Sequence, residues 1–121
     1  MRMAEPPSID RAAWEGLVRT TGADKEFLAE LLQTFFDDTP KELAAMHQSL
    51  QNKRAEEFRR AAHSLKSNCA TFGALGLSAM FRELEELGKS GSLQGADERL
   101  ERAEEEYARV RPLLEAERAR M

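Results

Sequence analysis

His63 is followed three residues later by Lys66, and then by the small residues Ser67 and Ala70. An imidazole with an ordinary pKa of about 6.5 is largely neutral at cytoplasmic pH, and the neutral ring is a nucleophile. A ring nitrogen that accepted a phosphoryl group would gain a dianionic charge. A lysine one helical turn away is a flexible point charge that can balance it. At an exposed position that help is worth about 1 kcal/mol, because water screens it. Small side chains one and two turns beyond the ring leave it standing clear, so that another protein could approach. The same spacing also fits a plain solvated helix face; it makes phosphotransfer feasible without establishing it.

These residues need a helix beneath them, and the chain supplies the period. Apolar residues recur at three-and-four spacing almost throughout, and no segment alternates with period two. A short helix is expected from a Ser8 or Asp10 cap through Trp14, Leu17 and Val18 to Gly22. Asp24 caps a long second helix with a stripe of Leu28, Leu31, Leu32, Phe35, Leu43, Met46 and Leu50, in which Pro40 is expected to kink or divide the helix. The third runs from about Arg54 to Phe72, with Phe58, Ala62, Leu65, Cys69 and Phe72 on one face. The fourth, from about Leu75 to Gly88, buries Leu77, Met80, Phe81, Leu84 and Leu87. The last, from Gln94 or Ala96 to Arg118, carries Leu100, Ala103, Tyr107, Val110 and Leu114, with Pro112 as a bend. The expected fold is therefore all-α: an antiparallel four-helix bundle with a short additional N-terminal helix packed against it or capping it. A flexible lead-in is expected at residues 1–7, with one domain over 8–118.

At ~100° per residue, His63 lies roughly 140° from the centre of the third helix's apolar stripe, so its face is the outer one. Arg59, Lys66, Ser67 and Ala70 share that face.

The whole chain narrows the classes. Its 121 residues suffice for one domain with a core, and 41% hydrophobic with 33% charged residues is a globular composition. A net charge of -4 argues against nucleic acid, whose binders concentrate basic residues. No apolar run approaches the roughly 18 residues that would cross a bilayer, and the N-terminus lacks a signal-peptide core, so no membrane association is expected. The single cysteine, Cys69, fits a reducing compartment. The expectation is a cytoplasmic protein, monomeric because the last helix's stripe is needed inside the bundle.

The stretch AAHSLKSNCATFGALGL resembles the signature of histidine-containing phosphotransfer (HPt) domains: His, any residue, a hydrophobic residue, Lys, a small residue, and Gly ten positions after the His. Here those are His63, Leu65, Lys66, Ser67 and Gly73. The resemblance extends from about Asp10 to Leu114, with DKEFLAELLQTFFDDTPKEL similar to the family's long second helix and FRELEELG to its fourth. It implies a bundle that carries a phosphoryl group on His63 between the aspartates of two receiver domains, one in a hybrid histidine kinase and one in a response regulator. It implies charge stabilisation by Lys66. It also implies that Glu85, at the place where members often carry Gln or Glu, hydrogen-bonds the ring nitrogen that is not phosphorylated. Arg59, Ser67, Ala70 and Gly73 are the expected docking residues. Where Ser67 stands, the family often has Gly; serine is still small, so close docking is expected to survive.

No P-loop or other glycine-rich nucleotide cradle is present, so an ATP-dependent autokinase is not expected. No cofactor is expected either: Mg²⁺ would belong to the receiver, and Asp37 and Asp38 sit mid-helix with no sign of a pocket. His47, Cys69 and His63 do not make a metal set. His47 reads as a surface residue, Cys69 as a small core hydrophobe, Glu104, Glu105 and Glu106 as a solvated face, and Arg60 as solvated or docking. The rival reading is a non-catalytic helical adaptor, a pseudo-HPt that docks receivers without carrying phosphate. Such domains tend to lose the His or the Lys, and this chain keeps both.

Overall fold

A computed structural model describes residues 8–22 and 24–121; the lead-in expected at residues 1–7 lies outside them. Five helices follow in order: α1 (Arg11–Thr20), α2 (Lys25–Gln51), α3 (Ala55–Thr71), α4 (Leu75–Ser90) and α5 (Ala96–Arg120). No strand occurs among the described residues.

Helix starts follow the capping chemistry in the sequence. The Asp10 carboxylate accepts the Ala13 amide at 2.8 Å, and that of Asp24 the Phe27 amide at 3.1 Å. Each thereby satisfies an amide that has no partner within its helix. No side chain caps α3, but Glu56 and Glu57 in its first turn complement the positive end of the helix dipole.

Helices α2 to α5 form a ring in which α2 packs on α3 and α5, and α4 on α3 and α5. Short turns make each neighbour antiparallel to the last. Phe58, Leu65, Cys69, Leu77, Phe81, Leu84, Leu100, Val110 and Leu114 are wholly buried at the centre. Burying each large apolar side chain contributes about 1.5–3 kcal/mol relative to leaving it exposed. Helix α1 lies across one end. Its Trp14 joins the core, the Asp10 amide donates to the Gly73 carbonyl at 2.7 Å, and Arg11 pairs with Glu117 near the end of α5.

Two expectations change. Pro40 does not divide α2, which runs unbroken to Gln51. Leu28, Leu32, Phe35 and Phe36 before the proline and Leu43 and Met46 after it are all buried, so packing holds one axis despite the missing amide. The fourth helix also passes through Gly88 and ends at Ser90, with Gly91 as its left-handed cap at φ 79°.

Candidate functional site

His63 projects from the middle of α3 with 55% of its side chain exposed. Its Nδ1 lies 2.5 Å from Oε2 of Glu85 on α4, and the Lys66 ammonium donates to the other oxygen, Oε1, at 2.7 Å. The Glu85 side chain is only 3% exposed, so the carboxylate is sunk between the helices with both oxygens satisfied.

That geometry dictates a tautomer. A carboxylate only accepts, so in the neutral ring the proton sits on Nδ1. Nε2 then keeps its lone pair, faces away from Glu85, and has no hydrogen-bond partner among the described residues. Burial by itself would raise the Glu85 pKa, but the hydrogen bonds from Lys66 and then His63 outweigh it and hold the carboxyl below its ordinary value. Glu85 therefore stays ionised at neutral pH and keeps hold of the ring.

Close approach of α3 and α4 makes this reach feasible. A β-carbon at Gly88 would come within 2.8 Å of the Arg59 β-carbon and 2.9 Å of its α-carbon, so no larger residue fits there without moving a helix. Toward the other end of the contact, the Ser78 hydroxyl donates to the Lys66 carbonyl at 2.8 Å. Glu85 lies between these two points. Beside Lys66 a cleft of about 370 Å³ opens between the helices, with Ser67 and Ala70 on one wall and Leu75, Ser78, Ala79 and Arg82 on the other.

The structure therefore brings together His63, Lys66 and Glu85, with Ser67 and Ala70 exposed nearby. Arg59 lies one turn before His63, half-buried, with its guanidinium held by Glu56 at 2.6 and 2.8 Å; Arg60 also pairs with Glu56, at 3.5 Å. Gly73 does not join the exposed face. It is buried beneath α1 at φ +82°, and a β-carbon there would come within 2.9 Å of the Asp10 carbonyl oxygen and 3.2 Å of the Trp14 nitrogen. Its place ten residues after the histidine reflects the turn between α3 and α4 and the seating of α1. Leu77 and Phe81 are core, and Met80 packs against it.

Elsewhere, His47 is an ion-pair partner, its Nε2 2.7 Å from Glu104 Oε1 across α2 and α5. Of the glutamates read as a solvated face, Glu104 is thus engaged and Glu106 is buried beside Arg109. Cys69 is fully buried, and burial pushes its thiol up to about 12. Among the described residues no group of three or more His, Cys, Asp or Glu could hold a metal ion, and no helix is long and apolar enough to cross a membrane. Sequence reasoning missed Gly88, Ser78 and Arg82. Their roles depend on the register of α4 against α3, which periodicity within one helix does not encode.

Residues 30–113 match the family model described as the Hpt domain. Among solved structures, the chain is similar to the crystal structure of histidine-containing phosphotransfer protein B (HptB) from Pseudomonas aeruginosa PAO1. The two share 33% sequence identity and a TM-score of 0.85, over 97% of this chain and 99% of that one. No curated protein matches.

Proposed function

The chain belongs to the Hpt domain family and is a histidine phosphotransfer domain of phosphorelay signalling; from that premise we propose that His63 is the residue that carries the phosphoryl group. The observation that carries this assignment is Nδ1 of His63 held 2.5 Å from a buried carboxylate, with the ring exposed and Nε2 unpartnered.

In the step proposed, the Nε2 lone pair attacks the phosphorus of a receiver's aspartyl phosphate. The N–P bond forms, the P–O bond breaks, and its electron pair leaves with the receiver's aspartate as carboxylate. Nδ1 keeps its proton throughout, and Glu85 stabilises the positive charge that the ring acquires. In the onward step an aspartate oxygen of a second receiver attacks the phosphorus, the N–P bond breaks, and its electron pair returns to Nε2. Lys66 balances phosphoryl charge, and Glu85 fixes the tautomer and the orientation of the ring. Ser67 and Ala70 allow the receiver to come close, and Arg59 borders the docking face.

Hpt domains work with receiver domains, and family members are phosphocarriers rather than autokinases. The finer reading is that this chain serves a hybrid kinase's receiver and a response regulator, as a cytoplasmic monomer without ATP-dependent autokinase activity. Mg²⁺ is assigned to the receiver, whose carboxylates would hold it. The adaptor reading is not favoured, because the chain keeps a reactive geometry at His63 that docking alone does not need.

The test is phosphate transfer from a labelled receiver to the purified domain, alongside incubation with ATP and Mg²⁺. Label from the receiver and none from ATP is the expected pattern. Tight receiver binding without label would return the adaptor reading.

A further inference from the structure

The charge at the His63 site does not close once a phosphoryl group arrives. Lys66 already holds Glu85 at 2.7 Å, so in the resting site its charge is matched. A phosphoryl dianion adds two negative charges, of which the cationic ring that carries it offsets one, beside a carboxylate that stays ionised and already takes up the charge of Lys66. Lys66 cannot balance both.

The other cations of this face are mostly committed. Arg59 and Arg60 pair with Glu56, and Lys89 pairs with Glu86. Arg82 is exposed, has no hydrogen bond or ion pair among the described residues, and lines the same cleft as Lys66. The antiparallel register that sets Gly88 against Arg59 and Glu85 against His63 puts Arg82 level with Lys66, one turn along from His63. On α4 it lies within roughly 60° of Glu85, on the side toward solvent. An arginine there has a planar fork of donors suited to phosphoryl oxygens.

We propose that Arg82 supplies the counter-charge to the phosphoryl group on His63, with Lys66 shared between that group and Glu85. The inference rests on the assignment of His63 as the acceptor. It adds a second cation, contributed by the facing helix, that engages only in the phosphorylated state. An unpaired arginine in the resting domain is what such a role requires.

The experiment uses the domain alone, phosphorylated with phosphoramidate and followed by ³¹P NMR as pH is varied. Removing a cation raises the pKa of any proton-binding group beside it. Arg82→Gln is therefore expected to raise the phosphohistidine titration midpoint by roughly half a pH unit, the scale of an exposed ion pair, and added salt to shrink the difference. Arg82→Lys is expected to restore most of the wild-type midpoint, and Arg102→Gln, at a position on α5 away from the cleft, to leave the midpoint unchanged. A wild-type midpoint in Arg82→Gln would overturn the proposal. So would an unchanged midpoint combined with weaker receiver binding, which would make Arg82 a docking residue. Failure of the domain to label at His63, from phosphoramidate and from receivers alike, would instead sink the assignment of His63.

Discussion

The molecule holds two histidine–glutamate pairs of similar length, and they engage opposite nitrogens of the ring. His63 and Glu85 meet at 2.5 Å across α3 and α4; His47 and Glu104 meet at 2.7 Å across α2 and α5. Glu85 is 3% exposed and is also held by a lysine, whereas Glu104 is 38% exposed and has no such lysine. The nitrogens differ too. Glu85 takes Nδ1 and leaves Nε2 facing outward, while Glu104 occupies Nε2 itself. A carboxylate beside an imidazole is therefore not enough. Burial keeps the carboxylate fixed and ionised, and the choice of nitrogen decides which one is left to react.

The largest expected effect is on this contrast itself. His63→Gln should abolish phosphorylation with helicity unchanged by circular dichroism, and His47→Gln should leave phosphorylation at the wild-type level. Equal losses in both would erase the distinction.

Next comes the spacing of the helices. Gly88→Ala places a methyl group against the Arg59 backbone, and overpacking of this kind costs about 1–3 kcal/mol. It should lower the denaturation midpoint and slow phosphoryl uptake together, because Glu85 is carried away from His63. The His47–Glu104 pair should persist, visible as unchanged chemical shifts of the His47 ring by NMR. Gly76, in the first turn of the same helix, has nothing within 4 Å of a β-carbon; Gly76→Ala should stabilise the domain by about 0.5–1 kcal/mol.

Lys66→Ala should slow transfer by roughly fivefold without abolishing it, the scale expected of a partly screened charge. A complete loss would mean that Lys66 does more than balance charge.

The smallest effect is in the pH dependence of stability, and its sign follows from the lowered pKa of Glu85. A carboxyl whose folded pKa is depressed contributes stability that is full above its ordinary value and is lost as pH falls through the folded one. Glu85→Gln should therefore be less stable than wild type at neutral pH. The gap should close as pH drops below 4.5, the ordinary value from which Glu85 is lowered, in urea titrations at stepped pH. Glu104→Gln should stay within about 0.5 kcal/mol of wild type throughout. A constant gap for Glu85→Gln would mean that its charge plays no part.

The contrast between the pairs was only half legible in the sequence. The helices were, because Asp10 and Asp24 announce their starts and the apolar stripes repeat within single helices. The outward face of His63 followed from the same angular argument. Glu85 came from resemblance to a family, since 22 residues of chain separate it from His63 and no local period links them. The partner of His47 was missed for the same reason, as Glu104 is 57 residues away. Gly73 and Gly88 show the limit most clearly. Gly73 reads in the sequence as part of a docking motif and is instead a buried, left-handed seat for α1. Gly88 reads as a helix stop and is instead the contact point that lets α4 approach α3. Glycine in a sequence signals freedom of backbone or absence of bulk, and only packing says which is used.

The most direct test of the account is to map the phosphate after incubation with a phosphorylated receiver, by mass spectrometry under conditions that preserve phosphohistidine. The account predicts one phosphorylated residue, His63, with none on His47, and no acid-labile phosphate in His63→Gln. Phosphate on His47, or label retained by His63→Gln, would contradict it.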